Sequence, residues 1–412
     1  MNELLRSHAN TIVAGAISQV QPHEAVRRVL ENRRFDAGRL ILVAVGKAAW
    51  SMAQAASEYL GSRIDGGIVI TKHGYAKGPI GNLTIHEAGH PVPDQDTFSA
   101  TAQALALTKE LKPEDTVLFL LSGGGSALFE SPLVDPEELQ SVTRQLLASG
   151  PDIVEMNTIR KRLSGVKGGR FALHCAPAHV LTVVLSDVIG DPLDMIASGP
   201  ACPDTSTCAT AKRIAEKCTL ALSPQAAALL EQETPKTLDN VETHITGSVR
   251  ELCRAASNVC RELGYQPVVL TDCLDCEARE AGRFLAAVAK SHQEQENSLA
   301  FLAGGETVVH LTGKGLGGRN QELALAAAPG IAGLRNTAVF SVGSDGTDGP
   351  TDAAGGYVDG ETAAALAAHG TDIFQVLRDN DAYHALEKSG GLLLTGGTGT
   401  NVNDVAVVLI RR

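Results

Sequence analysis

Leu40 to Val45 reads LILVAV, a strand-length run with no polar residue on either face. Side chains alternate between the two faces of a strand, so such a run is stable only where both faces are covered. Asp115 to Leu121 and His179 to Leu185 are further, largely apolar strands, and Gly67 to Ile70 is a shorter one. Helix-like segments stand between them: AAWSMAQAASEYL after Lys47, then Thr97 to Leu111, Pro136 to Ala148 and a glycine-broken basic stretch, Thr158 to Leu173. Alternating strand and helix predicts an α/β fold with a doubly wound, Rossmann-like parallel sheet. Glu3 to Gln19 reads as a further helix ahead of it.

Composition shifts at Glu231 to Asn240 (EQETPKTLDN), which is polar and contains a proline. A boundary there predicts a larger domain over 1–238 and a smaller, mixed α/β domain over 239–412. In the second part, helix-like Val249 to Leu263 and Cys276 to Ser291 flank a strand at Val268 to Thr271. Leu299 to Ala303 with Thr307 to Leu311 reads as a hairpin, and Gly391 to Ile410 as a glycine-turned strand pair.

The 412 residues carry a formal net charge of -12 and only 4% aromatics, which excludes a phosphate-tracking or base-stacking nucleic-acid binder. No apolar run approaches the ~20 residues of a spanning helix. With no leader pattern at the N-terminus, and eight cysteines too sparse for a disulfide framework, a cytoplasmic protein is expected. Cys273 and Cys276 form CLDC without a second such pair, so these thiols are read as non-catalytic.

Three motif matches are decoys. His86 to His90 spells HEAGH, but Gly89 and the following Pro91 and Pro93 deny it the helix that zinc chemistry needs. Gly313, Gly315 and Gly318 satisfy GxGxxG without the acidic residue expected about twenty positions on. No GxxxxGK[ST] occurs, so a P-loop is excluded.

The remaining polar features fit phosphoryl transfer. Ser122, Gly123, Gly124, Gly125 and Ser126 follow a strand, and successive glycines let backbone N–H groups approach a phosphate. Lys47 opens a helix directly after a strand, where an anion would meet both its charge and the helix start. Arg319 stands similarly behind the glycine loop containing Gly315, Gly317 and Gly318. Asp187, Asp191 and Asp194 follow the strand His179 to Leu185 and offer a base or hard oxygen ligands for magnesium. Asp345, Asp348 and Asp352 lie on a glycine-broken loop after Thr337 to Val342. Asn157, Arg160, Lys161, Arg162, Lys167 and Arg170 form a basic segment that reads mostly as a solvated helix face, with a substrate carboxylate as the other use.

VGKAA (Val45 to Ala49), HPVPD (His90 to Asp94), LSGGGSAL, LSGVKGGR, SDVIGD with IASGP, GGRNQE, GTDGPTDAAG and TGGTGTNVND together resemble the glycerate 2-kinases of the MOFRL type over nearly the whole chain. The resemblance implies a two-domain α/β enzyme with its active site in the cleft, a MOFRL-type C-terminal domain, and ATP and Mg2+ used to phosphorylate D-glycerate. Lys47 and Arg319 match the family's lysine and arginine. On charge grounds, Asp187 is expected to orient the hydroxyl, with Asp191 as the second candidate; the two are also expected to ligate metal, while Asp345, Asp348 and Asp352 line the facing wall. A hydroxypyruvate reductase using NAD(P) and a non-catalytic sugar-acid or nucleotide binder stay open, as does a homodimer.

Overall fold

The computed structural model describes residues 1–412 except 32 and 36. It divides into two compact units, one over 25–246 and the other joining 1–24 to 247–412. No helix among the described residues is long and apolar enough to cross a membrane.

The first unit is built on β1 (Leu40–Val45), β2 (Gly66–Lys72), β3 (Leu83–Ala88), β4 (Thr116–Leu121), β5 (His179–Leu185) and β6 (Val241–Gly247). Their spatial order is β3-β2-β1-β4-β5-β6, with the first five mutually parallel. LILVAV is central and serves two cores at once. Ile41, Val43 and Val45 join Val117, Phe119 and Leu121 on one face, while Leu40, Leu42 and Ala44 join Leu118 and Leu120 on the other. Phe119, Phe129 and Phe171 meet with centroids 4.9 to 5.9 Å apart, each ring contributing about 1.5–3 kcal/mol by burial.

The basic segment departs from the expected solvated face. The helix Ile153–Arg162 and the helix Arg170–Cys175 are joined by a glycine-rich turn, and Lys161, Arg162 and Lys167 are fully buried. Lys161 Nζ lies 3.1 Å from both Asp194 and Asp204, and Arg162 donates to the carbonyls of Gln232 (2.7 Å) and Ser206 (2.9 Å). Lys167 donates to the Phe129 carbonyl and pairs with Glu130, and Arg170 donates to the Ser164 carbonyl at 2.6 Å. These cations tie loops to the sheet layer. Periodicity alone could not show this, because their acceptors come from up to 70 residues away.

The second unit carries β7 (Gln266–Leu274), β8 (Leu299–Gly305), β9 (Thr337–Gly343), β10 (Gly355–Asp359), β11 (Leu392–Leu393) and β12 (Asp404–Ile410), in the order β11-β10-β9-β12-β8-β7. The expected hairpin of β8 with Thr307 to Leu311 does not form. Both edges of β8 are already taken, by parallel β7 and antiparallel β12, and Leu311 is 83% exposed. Nor do the two halves of Gly391 to Ile410 pair: β11 adds to β10, while β12 inserts between β8 and β9.

The helix Glu3–Gln19 belongs to this second unit, although it precedes the first in sequence. Its apolar stripe of Leu5, Ile12, Val13 and Ile17 is buried with Leu252, Val259 and Phe340, and Asn2 caps it by accepting from Leu5 N at 3.1 Å. The units therefore differ from the expected 1–238 and 239–412, and β6 extends the first sheet to the end of its own unit.

Candidate active site

In the order β3-β2-β1-β4-β5-β6 the winding reverses between β1 and β4, and the carboxyl ends of those two strands open the crevice where such sheets bind ligands. Val45 is paired in register with Leu121, so Gly46–Lys47 and Ser122–Gly123 leave the sheet side by side. Backbone bonds lace the two exits: Ser122 N donates to Val45 O (2.9 Å), Lys47 N to Gly123 O (2.9 Å), and Ala48 N to Ser122 Oγ (3.0 Å). Gly46 has φ +120, and a Cβ there would strike Ser122, so only glycine allows the exits to touch.

Three side chains converge on the glycine loop. At Gly124, with φ +85, an added Cβ would lie 3.0 to 3.1 Å from the His90 ring and 3.3 Å from Lys47 Cγ. At Gly123 it would run into the carboxylate of Asp187, which leaves β5 on the neighbouring strand. The N–H groups of Gly123 and Gly124 donate to no acceptor among the described residues, and the Lys47 ammonium has no ion-pair partner among them. Burial pushes the Asp187 carboxyl above its ordinary value, and the charge of Lys47 only partly offsets this. Burial, then the positive charges of Lys47 and Lys72, holds His90 below its usual value. The crevice thus brings together a free cation, a neutral imidazole, open backbone donors and a carboxylate with raised proton affinity.

The loop's last serine is oriented from behind. Ser198 Oγ donates to Asn157 Oδ1 at 3.0 Å and so accepts from Ser126 Oγ at 2.9 Å, which leaves Ser126 with lone pairs to offer a ligand. Ala197 and Ser198 hold φ of +50 and +60, a left-handed conformation costly for non-glycine residues and concentrated at functional sites. Asp191 is also left-handed (φ +53), and its buried Oδ1 has no hydrogen-bond partner. Asp194, by contrast, is engaged by Lys161.

In the second unit Arg319 begins the helix Arg319–Ala327 and is already occupied. Its Nε and Nη2 reach Asp404 at 2.6 and 3.1 Å, and Nη1 reaches Glu306 at 3.0 Å. Burial works against its charge, but these carboxylates raise its affinity for the proton above the ordinary value. Asp348 accepts from the N–H groups of Asn320 (3.2 Å) and Gln321 (2.8 Å), capping that helix from a distance, and burial lifts its carboxyl to about 7. Asp345 accepts from Thr347 N at 3.0 Å within its own turn, and Asp352 accepts from the Tyr383 hydroxyl at 2.8 Å.

The loop glycines here serve packing. A Cβ on Gly313 or Gly315 would meet the backbone of Asp379 to Asp381, one on Gly317 would approach Ala382, and one on Gly318 would meet Asp348. Gly315 N donates to Asp379 O at 2.8 Å. Gly313 N likewise donates to Asn380 Oδ1 at 2.9 Å, so neither N–H group is left for a pyrophosphate.

HEAGH lies on β3 and the loop beyond it, with His86 bonded to Gln103. Cys273 and Cys276 are exposed and form no disulfide among the described residues. Sequence reasoning overlooked His90 and Asp404. His90 was dismissed with the zinc motif, although its place in HPVPD marked it, and the long-range ion pair of Asp404 leaves no local signal.

A doubly wound unit with an unpaired lysine and a glycine loop at its switch point defines an enzyme that handles anionic, phosphate-bearing ligands. Comparison with known proteins narrows this class. Residues 8–231 match the family model described as Domain of unknown function (DUF4147), and 299–404 match the MOFRL family. The chain is 53% identical to a D-glycerate 2-kinase of Thermotoga maritima over 99% of each chain, and 37% identical to a glycerate 2-kinase of Pyrococcus horikoshii over 97% of this chain and 96% of that one. A crystal structure of glycerate kinase from Thermotoga maritima superposes with a TM-score of 0.95 at 52% identity, covering 99% of this chain and 100% of that one. The chain belongs to the MOFRL-type glycerate 2-kinase family.

Proposed function

We propose that this protein transfers the γ-phosphoryl group of ATP to the 2-hydroxyl of D-glycerate, yielding 2-phosphoglycerate and ADP. The observation that carries this reading is the laced exit of β1 and β4, which sets an unpaired Lys47 against an open glycine loop beside Asp187. Phosphoryl transfer asks for positioning and charge neutralisation, which this arrangement supplies. Lys47 and the N–H groups of Gly123 and Gly124 hold phosphate oxygens. Asp187, whose carboxyl has raised proton affinity, takes the proton of the attacking hydroxyl. Arg319 is proposed as the anion-binding cation of the second unit, held rigid by Asp404 and Glu306.

The β5 exit loop has the donor chemistry of a magnesium site: Asp187 and the orphaned Oδ1 of Asp191 are hard oxygens. Bound there, Mg2+ would neutralise part of the phosphate charge. The eight cysteines form no disulfide among the described residues, which fits a reducing cytoplasm. The reductase reading loses support because the N–H groups of Gly313 and Gly315 are already committed to Asn380 and Asp379.

The test assays one preparation two ways, for ADP with D-glycerate and Mg-ATP, and for NADH or NADPH consumption with hydroxypyruvate. Phosphorus NMR identifies the phosphorylated carbon. ADP with 2-phosphoglycerate is expected; nicotinamide turnover without ADP would overturn the proposal. A companion variant, Gly123→Ala, should lower kcat/KM by about tenfold or more with a melting temperature lower by only a few degrees, because its Cβ must displace Asp187.

A further inference from the structure

Of the basic segment, only Arg160 is left without an acceptor. Lys161, Arg162, Lys167 and Arg170 are consumed by carboxylates and carbonyls. Arg160, half-buried on the helix Ile153–Arg162, makes no hydrogen bond or ion pair among the described residues. Burial depresses its proton affinity, and the negative charge of Glu130 only partly offsets this. Glu130 is itself 3% exposed and committed through one oxygen to Lys167, while its Oε1 is buried without a partner. A guanidinium taken partly out of water and left unpaired is expensive unless a ligand completes it.

Its position says which ligand. Glu130 follows the short glycine-loop helix Gly125–Leu128 by two residues. Asn157 lies three positions before Arg160, hence on the same side of its helix, and connects through Ser198 to Ser126 of the loop. A planar fork of donors suits a carboxylate bidentately. Resting on the glycerate-kinase reading, we propose that Arg160 binds the carboxylate of the acceptor substrate and so selects acids over uncharged acceptors. Lys47 and the glycine loop then serve the phosphoryl group, and the two anionic ends of the reaction are met by different cations.

The experiment compares wild type, Arg160→Gln and Arg160→Lys on D-glycerate and on its uncharged amide, D-glyceramide, with ADP release and KM for both substrates as readouts. Wild type should favour the acid, and Arg160→Gln should raise the KM for D-glycerate about ten- to hundredfold while leaving the KM for ATP and the amide reaction nearly unchanged. Arg160→Lys, which keeps charge but loses the fork, should fall between and guards against a folding defect in the glutamine variant. An unchanged preference for the acid in Arg160→Gln, or a rise confined to the KM for ATP, would overturn the assignment. Wild type that releases no ADP with glycerate would instead sink the underlying function.

Discussion

Lys47→Ala should lower kcat/KM for D-glycerate phosphorylation by about 10² or more while leaving the thermal midpoint essentially unchanged. Its ammonium has no ion-pair partner among the described residues, and Asp187, whose burial it only partly offsets, can take up a proton when it is removed. What is lost is charge stabilisation where phosphate charge gathers, a loss of roughly 3 kcal/mol or more in the transition state. Arg319→Ala should behave differently. It leaves Asp404 and Glu306 without their counter-charge, and Asp404 is nearly buried, so its melting temperature should fall visibly as well. Kinetics and thermal melts on the two variants separate these cases. A Lys47→Ala protein with near-normal turnover, or one that melts far below wild type, would show that the lysine's role is structural.

Much of the first unit was legible because its signals are local. LILVAV has no polar residue and so required two covered faces, and the structure gives each face its own core. Lys47 and the SGGGS loop were readable for the same reason: each follows a strand, and a parallel sheet delivers all such exits to one edge. The failures share a cause too. Whether Leu299–Gly305 has a hairpin partner depends on which strands already occupy its edges, and β12 arrives from a hundred residues away. The N-terminal helix carries an apolar stripe, but nothing in that stripe says which unit buries it. Charge was the least legible property. Lys161 and Lys167 look like surface residues until their acceptors, Asp204 and Glu130, are placed. Among the described residues of that segment, Arg160 is the cation whose charge no acceptor takes up.

Asp187→Asn should reduce kcat by about 10² to 10⁴ and abolish the acidic limb of the pH–rate profile. The direction follows from burial. Asp187 sits against Gly123 with its carboxyl raised above the ordinary value, so as pH falls the group protonates earlier than a solvent-exposed carboxylate would. A base must be ionised, hence wild-type kcat/KM should decline as pH falls; Mg2+ on the same carboxylate would favour its ionised form and move that decline to lower pH, so the raised value is read in melts of the metal-free protein. The linked effect on stability has the opposite sign from a salt-bridged carboxylate. Because the folded chain holds this proton more tightly than the unfolded chain, ionising Asp187 costs folding free energy, and stability falls as pH rises from the ordinary to the raised value. Asparagine removes that cost at equal size. The variant should therefore melt at or above the wild-type temperature at neutral pH, and the difference should vanish at a pH below the ordinary carboxyl value. Loss of turnover together with equal or higher stability is the signature of a group kept for chemistry at the expense of the fold. A variant that retains wild-type kcat, or keeps the acidic limb, would move the base to another residue.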